Sequence, residues 1–257
     1  RVAMCEDPSG RLVAIDSGSV MVFDGNTWGL RNAREGSDSD SVAAAIVGPD
    51  GVFYAGAVAR WGTLRQLPGG DYVFKSFDAS GAPGWISAAT FELVVPTKRG
   101  VFFSSTLGTV CQGYDGTRHL WNGPLPVQNI FEMRDEVYLS SGSGGIYRLI
   151  DWEWRIVPGT ERYGGNDCIV RKVECDDGRV VLATSSGKVF VFDGETLTPL
   201  KTDADQMFLS SGIVDMVALA SCEIAFAVRG YGVVVVNAEG RVVMRLGYDH
   251  DDAFSGI

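Results

Sequence analysis

The chain has 257 residues, 46% hydrophobic and 11% aromatic, enough apolar material for one large all-β domain or two smaller ones. Its 32 acidic side chains outnumber 22 basic ones, leaving a formal charge of -10, a surface that repels phosphate backbones and anionic bilayers; nucleic acid is not an expected partner. No apolar run approaches the ~18 residues of a spanning helix, so no membrane insertion is expected.

In chain order, the first repeat begins with the end of an inner strand, Val2-Ala3-Met4. Asp7-Pro8-Ser9-Gly10 turns it, because proline presets the first corner and glycine relaxes the last. Leu12 to Ile15 and Val20 to Phe23 follow as strands, Trp28 opens a short outer strand, and residues 33 to 41 read as an acidic loop. The second repeat starts at residues 43 to 47, turns at Pro49-Asp50-Gly51, and has strands at Val52 to Ala55, around Thr63 to Leu67, and at Tyr72-Val73-Phe74. A long connection, 78 to 90, carries Trp85. The third repeat runs Phe91 to Val95, Val101 to Phe103, and a strand holding Val110 and Cys111 that ends in Tyr114-Asp115-Gly116. The fourth is the shortest, with Ile130 to Met133, a turn at Arg134-Asp135, Val137 to Leu139, Ile146 to Leu149, and Trp152 and Trp154 alternating in its outer strand. The fifth comprises Ile169 to Glu174, Val180 to Ala183 and Val189 to Phe192; the sixth comprises Ile213 to Leu219, Ile224 to Val228, Val233 to Val236 and Val242 to Met244. No segment keeps a 3.6-residue apolar period, so helix is expected to be nearly absent.

Two stretches align without a gap: Ile15 to Trp28, IDSGSVMVFDGNTW, and Thr184 to Leu197, TSSGKVFVFDGETL. A repeated strand–turn–strand phrase constrains a fold more than any single element does. Taking the residue two places after each turn glycine gives six anchors: Val20, Leu64, Val110, Ile146, Val189 and Val234. They are separated by 44, 46, 36, 43 and 45 residues, the length of a propeller blade. The tail, Phe254-Ser255-Gly256-Ile257, repeats the approach to the sixth inner strand, Ser211-Gly212-Ile213, and joins in phase onto Val2. The expectation is an all-β fold: a six-bladed β-propeller of four-stranded antiparallel blades, the ring closed by N- and C-terminal strands in one blade. It forms a single domain over 1–257, with blades at about 1–32 plus 253–257, 43–77, 91–121, 128–158, 168–201 and 212–247.

The phrases VMVFDGNTW and VFVFDGETL resemble the propeller repeats of bacterial two-component-regulator sensor domains, closely in two of the six repeats. No Gly-His and Trp-Asp pair marks each repeat, as WD repeats would. The resemblance implies a ligand- or partner-sensing module and carries over no catalytic residues; fold alone is not function.

Turns between the second and third strands, with the interblade connections, form the rim of such a disc. There Arg60-Trp61 and Arg229 with Tyr231 stand out in an acidic chain, because arginine and large aromatics dominate binding hot spots. Ser141 and Ser185 join them as expected ligand- or partner-binding residues. Asp38 with Asp40, and Asp249 with Asp251 and Asp252, invite a calcium reading but lack an ordered ligand spacing and are better read as solvated loops. No metal or other cofactor is therefore expected. Ser185-x-x-Lys188 matches the formal pattern of serine acyl enzymes, but that chemistry needs a helix, and these residues enter a strand. His119 and His250 are the only histidines. The repeated Asp24, Asp115 and Asp193 before glycine are read as hairpin residues.

Five cysteines, 5, 111, 168, 175 and 222, form no C-x-x-C pair, and Cys168 and Cys175 point to opposite faces of a strand. Unpaired apolar thiols fit a reducing compartment, hence the cytoplasm, with the periplasm or exterior as the expectation for a sensor domain. Arg1 in place of methionine suggests part of a longer chain or assembly. The functional expectation is a non-enzymatic recognition module binding a protein or small ligand at the propeller face. The alternatives are a propeller hydrolase or lyase acting on a carbohydrate-like substrate, and a structural or assembly component.

Overall fold

A computed structural model of the chain describes residues 3–7, 9–16, 19–34 and 42–247. The fold is a six-bladed β-propeller with four-stranded antiparallel blades. Its residues divide into two compact units, Arg1–Ile130 and Phe131–Ile257. The strand proposed to close the ring, 253–257, lies outside the described residues, as do the acidic pairs at 38, 40, 249, 251 and 252 and the second histidine, His250.

In the first unit, blade one runs from inner to outer strand as Ala3–Glu6, Leu12–Asp16, Ser19–Phe23 and Trp28–Arg34; blade two as Val42–Val47, Phe53–Ala57, Arg60–Gln66 and Tyr72–Ser76; blade three as Leu93–Thr97, Gly100–Ser104, Thr109–Gln112 and Arg118–Trp121. Successive side chains on a strand face opposite sides, so blade two feeds two cores. Val13, Ile15, Val20 and Val22 of blade one pack with Phe53, Ala55, Leu64, Tyr72 and Phe74 of blade two. The other face of blade two sends Tyr54 and Trp61 against Phe91, Val101, Phe103 and Val110 of blade three. In the second unit, Val181, Ala183 and Val189 of blade five pack with Phe226, Val228 and Val234 of blade six.

The repeated glycine has a packing cause. A Cβ on Gly62 would stand 2.1 Å from the Lys75 carbonyl oxygen, and one on Gly187 would stand 2.0 Å from that of Phe208. The same collision with a backbone carbonyl recurs at Gly108, Gly144 and Gly232. In each case the chain that has left the third strand returns so close that only a residue without a side chain fits. Gly62 does not adopt the left-handed region, so there the requirement is room alone. The Asp-Gly hairpins behave as expected: Asp24 Oδ1 accepts from the Asn26 and Thr27 amides, each at 2.9 Å, and Asp193 Oδ1 from Glu195 and Thr196 at 2.9 and 2.8 Å. Gly25 and Gly194 supply φ of +99° and +107°.

Several elements differ from expectation. The outer strand of blade one is long, and its end, placed above in an acidic loop, pairs in parallel with blade two, Ala33 opposite Tyr72 and Arg34 opposite Val73. Blades one and two thereby share one eight-stranded sheet, and that edge is covered. In blade two the third strand starts at Arg60, after a two-residue turn at Val58-Ala59 in which Ala59 takes φ +58°. Gly62, taken above for the turn residue, lies inside the strand. In blade four only Trp154 belongs to the outer strand, Glu153–Ile156; Trp152 sits in the turn with φ +64°. One α-helix, Asp205–Ser211, occurs among the described residues, in the connection to blade six. It buries Phe208 and ends at Gly212, φ +78°.

Candidate functional site

The expected rim residues separate by burial. Trp61 is 1% exposed: its ring packs edge-on to Phe91 at 5.7 Å, and its Nε1 reaches Gln112 Oε1 at 3.5 Å. Because it alternates inward one residue into its strand, it has no face to offer a partner, and its expected binding role is corrected to core packing. Ser141 is fully buried, its Oγ 2.9 Å from that of Ser143, so it shapes a turn and is not a contact residue. Arg60 is half-buried. In the second unit Arg229 and Ser185 are exposed and Tyr231 is 50% exposed. Ser185 Oγ lies 3.5 Å from the Cys168 thiol. Lys188 instead donates to Asp167 Oδ2 at 2.5 Å, while Ser186 donates to Asp167 Oδ1. Burial would raise the Asp167 carboxyl, but Lys188 and Ser186 outweigh it and hold it below the ordinary value. Lys188 is thus engaged as a counter-ion in this turn.

A concavity with a volume of about 610 Å³ lies in the first unit, between blades two and three. Three segments build it. The turn between the first two strands of blade two brings Asp50, whose Oδ1 accepts from the Val52 amide at 3.1 Å and whose Oδ2 accepts from the Tyr54 hydroxyl at 2.7 Å. Burial, then Asp50, raises the Tyr54 hydroxyl well above its ordinary pKa, so it remains a donor. The hairpin between the last two strands of blade three brings Tyr114, 42% exposed, its hydroxyl donating to the Thr97 carbonyl at 3.0 Å. The residues after blade two bring Phe77, fixed by its amide to the Trp61 carbonyl at 2.9 Å, and Asp78.

Tyr54 is the centre of this wall. Its ring centroid lies 6.4 Å from each of Phe77, Phe103 and Tyr114. Arg118 forms the remaining side: its guanidinium lies over Trp61 at 6.0 Å, and donates to the carbonyls of Asp78 and Ser80, the latter at 2.8 Å. Asp78 accepts from the Ser80 hydroxyl and amide, which, with the nearby Arg118 charge, hold its carboxyl below the ordinary value and therefore ionised at neutral pH. The result is an aromatic surface flanked by carboxylates, of the size that takes a small ligand or a single large side chain. Strand alternation places two of its turns at the ends of the blades opposite Arg60. No grouping of three or more His, Cys, Asp or Glu suited to a metal occurs among the described residues.

The site escaped sequence reading because its parts are distant in the chain. The available signal was the pair of turns Pro49-Asp50-Gly51 and Tyr114-Asp115-Gly116, each with an aromatic nearby, which were read as hairpins alone.

No family model matches this chain, and no curated protein matches it. Solved structures do match in fold. The extracellular domain of the hybrid two component system BT3049 from B. thetaiotaomicron has TM-score 0.69 and 16% identity over 96% of this chain and 35% of that one. The extracellular domain of BT4673 from the same organism has TM-score 0.70 and 10% identity over 97% of this chain and 33% of that one. A streptogramin B lyase has TM-score 0.67 and 11% identity over 96% of this chain and 83% of that one. The chain spans about a third of the length of the two sensor domains. At these identities the likeness establishes the propeller fold, shared with extracellular sensor domains and with an enzyme alike.

Proposed function

We propose that this propeller is a non-enzymatic recognition module, the sensing part of a longer protein, that takes a small ligand or a single side chain of a partner between blades two and three. The observation that carries the reading is the cleft between blades two and three, where the aromatic residues Tyr54, Phe77 and Tyr114 stand among the polar groups of Asp50, Asp78, Gln112 and Arg118. The fold-level likeness to extracellular sensor domains favours the same role and a location outside the cytoplasm. The reducing compartment expected from the cysteines has no support from those likenesses. Cys111, Cys168 and Cys175 are buried, and a buried thiol is chemically inert in either compartment. Arg229 and Tyr231, exposed in the second unit, remain proposed partner contacts, with Ser185 beside Cys168 and Arg60 in the first unit. The test is a small-molecule thermal-shift screen on wild type and Tyr114→Ala. The reading expects hits that raise the wild-type midpoint and lose their effect in the variant; hits that act equally on both would count against it.

A second reading, a propeller lyase, rests on the fold shared with streptogramin B lyase across most of that enzyme's length. Incubation with quinupristin, the compound bound in a related lyase structure, separates the two: turnover would favour the enzyme, and intact compound at high protein concentration the recognition module.

A further inference from the structure

We propose that the cleft between blades two and three selects an organic cation, a primary ammonium or guanidinium group such as a basic side chain of a partner peptide. The proposal rests on the recognition reading above and names its ligand chemistry. Two observations carry it. The first is the aromatic wall: the partly exposed rings of Phe77 and Tyr114 line the cleft, backed by the buried Tyr54, and aromatic rings attract cations through their quadrupole. The second is the charge balance at the mouth. Asp50 and Asp78 are exposed carboxylates; Asp78 already feels the positive charge of Arg118, whereas Asp50 forms no ion pair among the described residues. Each is held by hydrogen bonds from neutral groups, Val52 and Tyr54 for the first and Ser80 for the second. Arg118 is the one basic residue lining the cleft, and its guanidinium is committed to the Asp78 and Ser80 carbonyls while lying over Trp61. Two carboxylates beside an aromatic wall leave a position where a cation meets both a charge and a ring face. The two carboxylates outnumber the single Arg118 charge, so an anion would meet net repulsion there and a cation would add the counter-charge that Asp50 lacks.

The test is isothermal titration with N-acetyl-arginine methylamide and its neutral isostere N-acetyl-citrulline methylamide. Both are titrated into wild type, Asp50→Asn/Asp78→Asn and Tyr114→Ala, with circular dichroism checking the fold of each. Asp78→Asn alone, whose carboxylate bonds only within a surface loop, serves if the double variant unfolds. The proposal expects saturable binding of the arginine derivative, about tenfold weaker binding of the citrulline one, and a similar loss on removing the two charges. Tyr114→Ala should weaken binding by about fivefold, and added salt should weaken it further. Equal binding of the two derivatives, unchanged affinity without the carboxylates, or no saturable binding of the arginine derivative would each overturn it. Equal binding that still falls in Tyr114→Ala removes the cation and leaves the recognition reading standing; binding indifferent to Tyr114 removes both.

Discussion

Replacing Gly187 by alanine tests why the repeat glycine is there. Its φ is +86°, and an added Cβ would stand 2.0 Å from the Phe208 carbonyl oxygen, 2.5 Å from its carbonyl carbon and 3.0 Å from the Leu209 nitrogen. Phe208 cannot simply retreat, because its side chain is fully buried and packs on Phe226 at 4.7 Å. The left-handed backbone costs about 1–2 kcal/mol for a residue with a side chain, and forcing the contact open costs about 1–3 kcal/mol more. A loss of about 2–5 kcal/mol is a large share of the roughly 5–15 kcal/mol that holds a domain. Gly62→Ala isolates the second effect, because its φ is ordinary while its Cβ would stand 2.1 Å from the Lys75 carbonyl, so about 1–3 kcal/mol is expected. Gly69→Ala is the control: nothing lies within 4 Å of its Cβ, and its backbone is ordinary. Urea unfolding should place the midpoints in the order Gly69→Ala, Gly62→Ala, Gly187→Ala, with unchanged slopes. A Gly187→Ala midpoint equal to that of Gly69→Ala would refute the close-approach reasoning.

Asp7, nearly inaccessible, accepts from Arg11 Nε at 2.9 Å, from the Ser9 and Arg11 amides, and from the Tyr72 hydroxyl at 3.2 Å. Burial would raise its carboxyl, but these donors outweigh it and hold the pKa below the ordinary carboxylate value; Tyr72 is pushed up to about 12, by burial first and Asp7 second. A carboxyl depressed on folding stabilises the protein above the unfolded value and loses that contribution as pH falls through the folded one. Acid unfolding below about pH 4 should therefore flatten in Asp7→Asn, which should also cost about 1–3 kcal/mol at neutral pH, read by urea midpoint at both pH values. Thiol titration of the native protein should leave Cys111 unreacted, since burial raises its thiol to about 12, while the denatured chain reacts at all five. Arg229→Ala and Tyr231→Ala, both at exposed positions, should change stability by less than about 0.5 kcal/mol. Retention of a native partner by both variants in a pull-down would remove the second-unit rim from the recognition surface.

The strand runs were legible because alternating apolar residues and Asp-Gly hairpins are local signals, and the six blades follow from their spacing. What stayed hidden depends on approach between distant segments. Gly62 reads as a turn residue because the sequence cannot show the Lys75 carbonyl above it, and that reading carries the buried Trp61 onto the rim. Ala59 makes that turn without a glycine or asparagine to mark it. The parallel pairing of Ala33 and Arg34 with blade two uses backbone groups, to which side-chain patterns are blind. The cleft joins Asp50, Phe77 and Tyr114 across two blades, and the recognition pair expected at Arg60 and Trp61 came close to it only through Arg118, which lies over the buried face of Trp61.

Crystals soaked with a mixture of small aromatic, neutral and amine fragments offer the most direct measurement of where this propeller recognises a ligand. The account predicts fragment density against Tyr114 and Phe77 between blades two and three, with the amines beside Asp50 and Asp78. Ordered side chains around that cleft with no density in it, and fragments bound elsewhere, would contradict it.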